Sequence, residues 1–157
     1  MLAAIVPAEP WHIEAVALNA RPADEAELWA IARATPAQCL RYGLRTSAFA
    51  YTGLLDGVPV CVFGASPFSI LSGIGVPWMV GTTHLDSHRA QRELLRHARP
   101  CLDAMSHSFP TLGNVVDARN TAAIRWIRWL GFTLGDPTPM GPDDLPFIPF
   151  ILKRDSE

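Results

Sequence analysis

Cysteine is sparse and unpaired in this 157-residue chain. Cys39, Cys61 and Cys101 are odd in number, widely spaced and form no CxxC pair. That argues against a disulfide framework or a zinc ribbon and suits a reducing compartment. No His/Asp/Glu cluster has ligand spacing, so no metal is expected. Nor is any apolar run long enough to span a bilayer. The opening MLAAIVPAEPWH lacks a basic n-region and a long apolar h-region. A secretory leader is therefore not expected, and the cytoplasm is. Repeats and low-complexity blocks are missing too.

What is present is apolar. The hydrophobic fraction is 49% and the mean hydropathy +0.16. Either the core is thick, or an apolar face is covered by a second copy of the chain. The length suits one domain over residues 1–157, large enough to fold without a staple. A net charge of −2 gives the chain as a whole no reason to seek nucleic acid. Charge is uneven, however. Between Arg89 and Arg128 seven arginines face only Glu93, Asp103 and Asp117. Such a run is either a solvated helix face or a local site for a polyanion such as a nucleotide or coenzyme.

Periodicity divides the chain into alternating elements. Ala3 to Pro7 reads as an edge strand, and helices are expected over Trp11 to Asn19 and Asp24 to Ala34, with a third beginning at Pro36. Ser47 to Leu55 and Val58 to Gly64 flank Asp56-Gly57, a strong hairpin signal, and Ser66-Pro67 should end the second strand. A third strand, Gly73 to Val80, contains Pro77, which implies an edge, a bulge or a splayed pairing. Arg89 to Ser108 carries a helical stripe that Pro100 should kink or divide. A strand at Gly113 to Val116, a helix at Arg119 to Leu130 capped by Gly131, and strands at Phe132 to Leu134 and Phe147 to Lys153 follow. The intervening DPTPMGPDDLP reads as a rigid loop. The sum is an α/β domain with a mixed sheet, an antiparallel meander first and parallel strands joined by crossover helices after it.

Asn114 to Phe132, NVVDARNTAAIRWIRWLGF, narrows this reading. Val115 and Val116 form a strand that feeds a helix starting near Asn120. Ala123 and Ile124 point inward, and Leu130-Gly131-Phe132 closes the unit. This segment and the element order resemble the GNAT N-acetyltransferases. A looser likeness is to the small GNAT-like proteins of phages and prophages, including a family of internal virion proteins. The resemblance implies a GNAT fold with helices on both faces of the sheet, acetyl-CoA or another acyl-CoA as cofactor, and an amine acceptor, small molecule or protein. In the phage reading it implies instead a virion component with virion proteins as partners.

The resemblance also marks two departures. The family's glycine-rich pyrophosphate loop corresponds to Val80-Gly81-Thr82-Thr83-His84-Leu85-Asp86-Ser87-His88-Arg89, where the glycine pattern is missing. The tyrosine that protonates the departing thiolate, seven residues after the helix-start asparagine, corresponds to Ile127.

Site expectations follow from that alignment. Met79, Val80 and Gly81 would hold the pantetheine arm through backbone groups. Ser87, His88 and Arg89 would meet the pyrophosphate, and Asn120 would contact the arm. Basic residues at a helix start oppose its dipole unless an anion bridges them, although Asp86 or Ser87 would also serve as an ordinary N-cap. His84, with an unperturbed pKa near the useful range, and Asp117 are the candidate bases. Asp117 also reads as an N-cap. One of Trp126 and Trp129 should face the core and the other a cleft or a subunit contact. Two functions stand side by side: an acyl-CoA-dependent N-acyltransferase with a degenerate phosphate loop, and a catalytically inactive phage-derived structural or interaction protein on the same fold.

Overall fold

Prolines open the first three helices. The computed structural model describes residues 2–69 and 71–154. The one-domain expectation over 1–157 therefore takes in residues 1, 70 and 155–157, which lie outside the described residues. After strand β1 (Ala3–Pro7), helices α1 (Pro10–Leu18), α2 (Pro22–Ala32) and α3 (Pro36–Thr46) each begin on a proline. Its missing N–H is one that a first turn leaves unbonded anyway. Thr35 and Gln38 add a reciprocal capping box to α3, at 3.3 and 2.9 Å.

Strands β2 (Phe49–Leu55) and β3 (Val58–Pro67) form the expected hairpin. Asp56 and Gly57 take the positive φ values, 50° and 80°, that a tight two-residue turn needs. β3 runs three residues past Gly64 and ends at Pro67, which pairs with Gly75. The proline costs nothing there, because β2 has already ended at its Phe49–Ala65 pair.

Next come β4 (Ile74–Gly81), a 3-10 turn (Thr83–Leu85) and α4 (His88–Ser108). Of the two expected effects of Pro100, division does not occur, and α4 runs on through it. It lies on the exposed face, where water can take the carbonyl its ring leaves unbonded. β5 (Thr111–Asp117) and α5 (Thr121–Trp129) follow. α5 ends in a Schellman cap, with Gly131 N–H on the Arg128 carbonyl, Phe132 N–H on that of Ile127, and Gly131 at φ 97°.

The last third corrects the sequence reading. The proline-rich segment contains a strand, β7 (Thr138–Met140), between β6 (Thr133–Leu134) and β8 (Leu145–Lys153). β8 inserts antiparallel between β5 and β6. β4 and β5 are thus the parallel pair in the sheet order β1-β2-β3-β4-β5-β8-β6, and the expected run of parallel strands is replaced by an antiparallel return.

Helices cover both faces. Ile13, Val16 and Leu40 from α1 and α3 pack with Val62 and Val80 on one side. On the other side Leu94 and Met105 of α4 and Trp126 and Ile127 of α5 cover Cys61, Leu112 and Val116. Among the described residues no helix is long and apolar enough to cross a membrane, and no group of His, Cys, Asp and Glu is placed to hold a metal ion.

Candidate functional site

β4 and β5 pair only at Ile74–Thr111 and Gly75–Leu112. Beyond those two contacts they diverge, which is one of the three arrangements Pro77 left open. The carbonyl of Pro77 accepts from Asn114 Nδ2 at 2.7 Å, so an asparagine side chain bridges the start of the split. Further along, the Gly81 N–H donates to Asp24 Oδ2 at 2.8 Å, and its carbonyl accepts from the Arg21 N–H at 2.9 Å. Successive strand residues alternate direction, so residues 77, 79 and 81 all turn their backbone groups into the split. At 77 the proline has no N–H to lose, and at 81 both groups are taken. Among the described residues, Met79 is the one on this stretch whose N–H and carbonyl face the split without a partner.

The opposite lip, β5, is closed differently. Val115 N–H bonds the Asn114 side chain at 2.8 Å, and Asp117 N–H donates to Glu27 Oε1 at 2.7 Å. Both caps at the wide end therefore come from α2, through residues one turn apart. Asp24 is 3% exposed and pairs with Arg21 at 3.1 Å, while its Oδ1 accepts from Asn120 Nδ2 at 2.9 Å. Glu27 has no cation partner among the described residues. Burial pushes its pKa up to about 7; the Asp117 N–H works against this, and the charges of Asp24 and Asp117 work with it.

A cleft of about 510 Å³ runs through the split and reaches both faces of the sheet. Ala98 and Leu102 of α4 and Ala123, Trp126 and Ile127 of α5 line one end. Leu28 and Ile31 of α2, Tyr42 of α3 and Trp78 of β4 line the other, with Glu27 between.

The expected site residues divide accordingly. Met79 and Val80 line the cleft. Gly81 does not, since its backbone is bound to Arg21 and Asp24. Ser87 caps α4, its hydroxyl accepting from Ala90 N–H at 3.1 Å. His88 and Arg89 are exposed in the first turn of α4 and do not line the cleft, and the His88 ring lies 6.0 Å from that of Trp129. The glycine-free turn before them is pinned by Gln91, whose Nε2 donates to the Leu85 carbonyl at 2.7 Å. His84 is exposed on that turn, away from the cleft.

Asp117 is 1% exposed but does not cap α5; Asn120 does, accepting from Ala123 N–H at 3.3 Å. The Asp117 carboxylate pairs with Arg119 at 2.7 Å. Burial raises its pKa, and the hydrogen bonds and charge of Arg119 outweigh that and hold it below its ordinary value. Asn120, 1% exposed, accepts from Ala123 N–H and donates to Asp24, and hydrogen bonding from its side chain also works to lower the Glu27 pKa. Trp126 is buried and lines the cleft, while Trp129 is half-buried beside His88. Ile127 faces the cleft at the position of the family's tyrosine.

Sequence reasoning missed Arg21, Asp24, Glu27 and Asn114. The one available signal was the i, i+3 spacing of Asp24 and Glu27, which places two acids on one helix face. The first-turn position of Asp24 reads more simply as a partner for the helix dipole.

The chain matches no protein-family model and no curated protein. Solved structures do match it. The Salmonella typhimurium protein yncA, named as an acetyltransferase and solved with acetyl-CoA, superposes with a TM-score of 0.72 at 14% identity, covering 100% of this chain and 96% of that one. A ribosomal-protein-alanine N-acetyltransferase from Brucella melitensis gives 0.69 at 16% identity over 98% and 100%. The aminoglycoside acetyltransferase AAC(6')-Ib, solved with coenzyme A and kanamycin, gives 0.64 at 15% over 98% and 95%. The fold is that of the GNAT acetyltransferases. The likeness stands at the level of that fold and does not narrow to phage proteins.

Proposed function

We propose that this chain is an acyl-CoA-dependent N-acyltransferase that takes its acyl donor into the split between β4 and β5 and uses Glu27 as general base. The observation that carries the reading is Glu27 itself, a cleft-lining carboxyl without a cation, poised near neutrality beside an unpaired strand amide. The residues present suit the donor. Met79 offers a free N–H to a carbonyl oxygen, and Ala98 and Ala123 leave room for a thin flexible chain. Arg89 puts positive charge at a helix start, where phosphate is favoured, with the His88 ring beside it. Bound there, an acyl-CoA would supply a thioester from which the acyl group passes to an amine as the sulfur leaves.

Amines arrive largely as ammonium ions at neutral pH, so the base must first remove a proton. A carboxylate with a pKa near 7 both accepts that proton and releases it to water afterwards. Burial raises the pKa of the Cys39 thiol, the cysteine that lines the cleft, and so keeps it protonated. Transfer straight to the amine therefore fits better than a route through an acyl-cysteine. Ile127 cannot protonate the leaving sulfur, and the departing thiolate, whose thiol has an ordinary pKa of about 8.5, can take its proton from water.

A second reading, an inactive protein of phage or prophage origin kept for structure or interaction, draws on Ile127 and on the glycine-free turn pinned by Gln91. The deciding experiment follows free thiol released from acetyl-CoA in the presence and absence of a panel of amines. Amine-dependent release that Glu27→Gln removes supports the transferase. Failure of acetyl-CoA to bind at all supports the inactive fold.

A further inference from the structure

The acceptor end of the cleft carries more information than the donor end. Trp78 dominates it. Its Nε1–H donates to Ser47 Oγ at 2.7 Å, and its ring lies over two glycines, Gly43 and Gly64, where an added Cβ would come within 2.9 and 2.8 Å of ring carbons. The ring is thus a fixed flat wall. Tyr42 and Phe68, 60% and 71% exposed, stand at the mouth as further aromatic surface, with the Arg45 guanidinium 5.6 Å from the centre of the Tyr42 ring.

Charge is scarce in the same space. Asp24 and Glu27 are the carboxylates lining the cleft, and Arg21 is the cation there. Asp24 is consumed by Arg21, the Gly81 N–H and Asn120. One carboxylate, Glu27, is left for a ligand. A second ammonium on the acceptor would have to lie against Trp78, Ile31 or Leu28, or approach Arg21. Either placement buries a charge without a partner. An acceptor carboxylate would meet Glu27 with Arg21 already committed to Asp24.

We infer, on the basis of the acyl transfer proposed above, that the acceptor is a primary amine on an apolar, aromatic-sized body with no second charge. It enters from the α2–α3 face with its nitrogen at Glu27 and its body against Trp78, Tyr42 and Phe68.

The test is binding, read without turnover. Phenethylamine and spermidine are each titrated calorimetrically into the full chain at pH 8, and acetyl-CoA is titrated in parallel. Phenethylamine should bind saturably, and Glu27→Gln should weaken it by about tenfold or more, as the loss of one charged contact does. Tyr42→Ala should weaken it several-fold, and spermidine should not bind at millimolar concentration. Tyr42→Glu, which adds a second carboxylate at the mouth, should bring spermidine binding in. Spermidine binding as tight as phenethylamine, no phenethylamine binding, or phenethylamine binding indifferent to Glu27→Gln would each overturn the inference. If acetyl-CoA still binds in those cases, the transferase reading stands and the acceptor class is wrong. If acetyl-CoA alone fails, the transferase reading falls and the amine site remains.

Discussion

Asp24 and Glu27 sit one helical turn apart on α2 and reach opposite lips of one split, Asp24 to the Gly81 N–H of β4 and Glu27 to the Asp117 N–H of β5. Two carboxylates so placed acquire different chemistry. Asp24 is held by a guanidinium, a backbone N–H and a carboxamide. Glu27 has no cation and shares its surroundings with two other acids. The first is built to stay fixed and the second to exchange a proton.

Glu27→Gln should lower kcat/KM for acyl transfer by roughly 100-fold or more, within the usual worth of a general base. The wild-type kcat/KM should climb with pH through an inflection near 7, and the variant should lose that inflection. His84→Ala, on the exposed turn, should leave it in place. Steady-state rates between pH 5.5 and 8.5 make the comparison. An inflection that disappears with His84 instead would move the base to that residue.

The same carboxyl ties stability to pH. Its folded pKa, about 7, lies above the ordinary 4.5, so the native state holds more protons than the unfolded chain between those values. Stability should therefore fall as pH rises from about 4.5 to 7, by up to about 3 kcal/mol, and stay lower above it. His12 acts in the opposite sense. Burial holds its pKa below 6.5 against the pull of Glu9, and its Nδ1 lies 3.0 Å from the Glu9 N–H and 2.9 Å from Thr52 Oγ1. Stability from His12 is lost as pH falls through 6.5. Urea unfolding of wild type and Glu27→Gln side by side isolates the glutamate: the variant's advantage should grow from pH 5 to pH 8.

Asp24→Asn should cost roughly 3–5 kcal/mol, because Arg21, 6% exposed, would be left with an uncompensated buried charge. Adding Arg21→Met should recover part of that loss. A double-mutant cycle from denaturant midpoints measures the coupling, and simple additivity would show that the pair does not act as a unit.

Trp78 yields a packing prediction. Alanine normally stabilises a helix over glycine by about 1 kcal/mol. At Gly43 in α3 it should instead destabilise, since its Cβ would press on the Trp78 ring. Gly64→Ala is the harsher change, for its Cβ would also run into the Phe49 carbonyl oxygen, and roughly 1–3 kcal/mol or more is expected. Thermal melts and the tryptophan emission maximum report both variants.

Where backbone chemistry is local, the fold was legible. Asp56-Gly57 and Gly131 need positive φ and announce it by residue type, and Pro77 marks an irregular strand without saying whether it is an edge, bulged or splayed. The antiparallel return of β8 was not legible, because β7 lies hidden in a proline-rich stretch that resembles loop. Nor was the key carboxyl. Glu27 meets Asp117 across 90 positions of sequence, and Asn120 meets Asp24 across 96. Asn120 read as a contact to the donor's arm and Asp117 as a base or a cap, while the Asn120 carboxamide and the Asp117 N–H reach a helix whose acids resemble ordinary first-turn residues. His84 drew notice for its intrinsic pKa, and the structure places it on an exposed turn outside the cleft lining.

The measurement closest to the central claim is a calorimetric titration of the chain with acetyl-CoA, repeated on Ala123→Phe, which fills the donor end of the cleft. Saturable one-to-one binding, weakened by about tenfold or more in the variant, is the predicted result. No binding at millimolar acetyl-CoA, or binding indifferent to Ala123→Phe, would contradict a donor site in the split between β4 and β5.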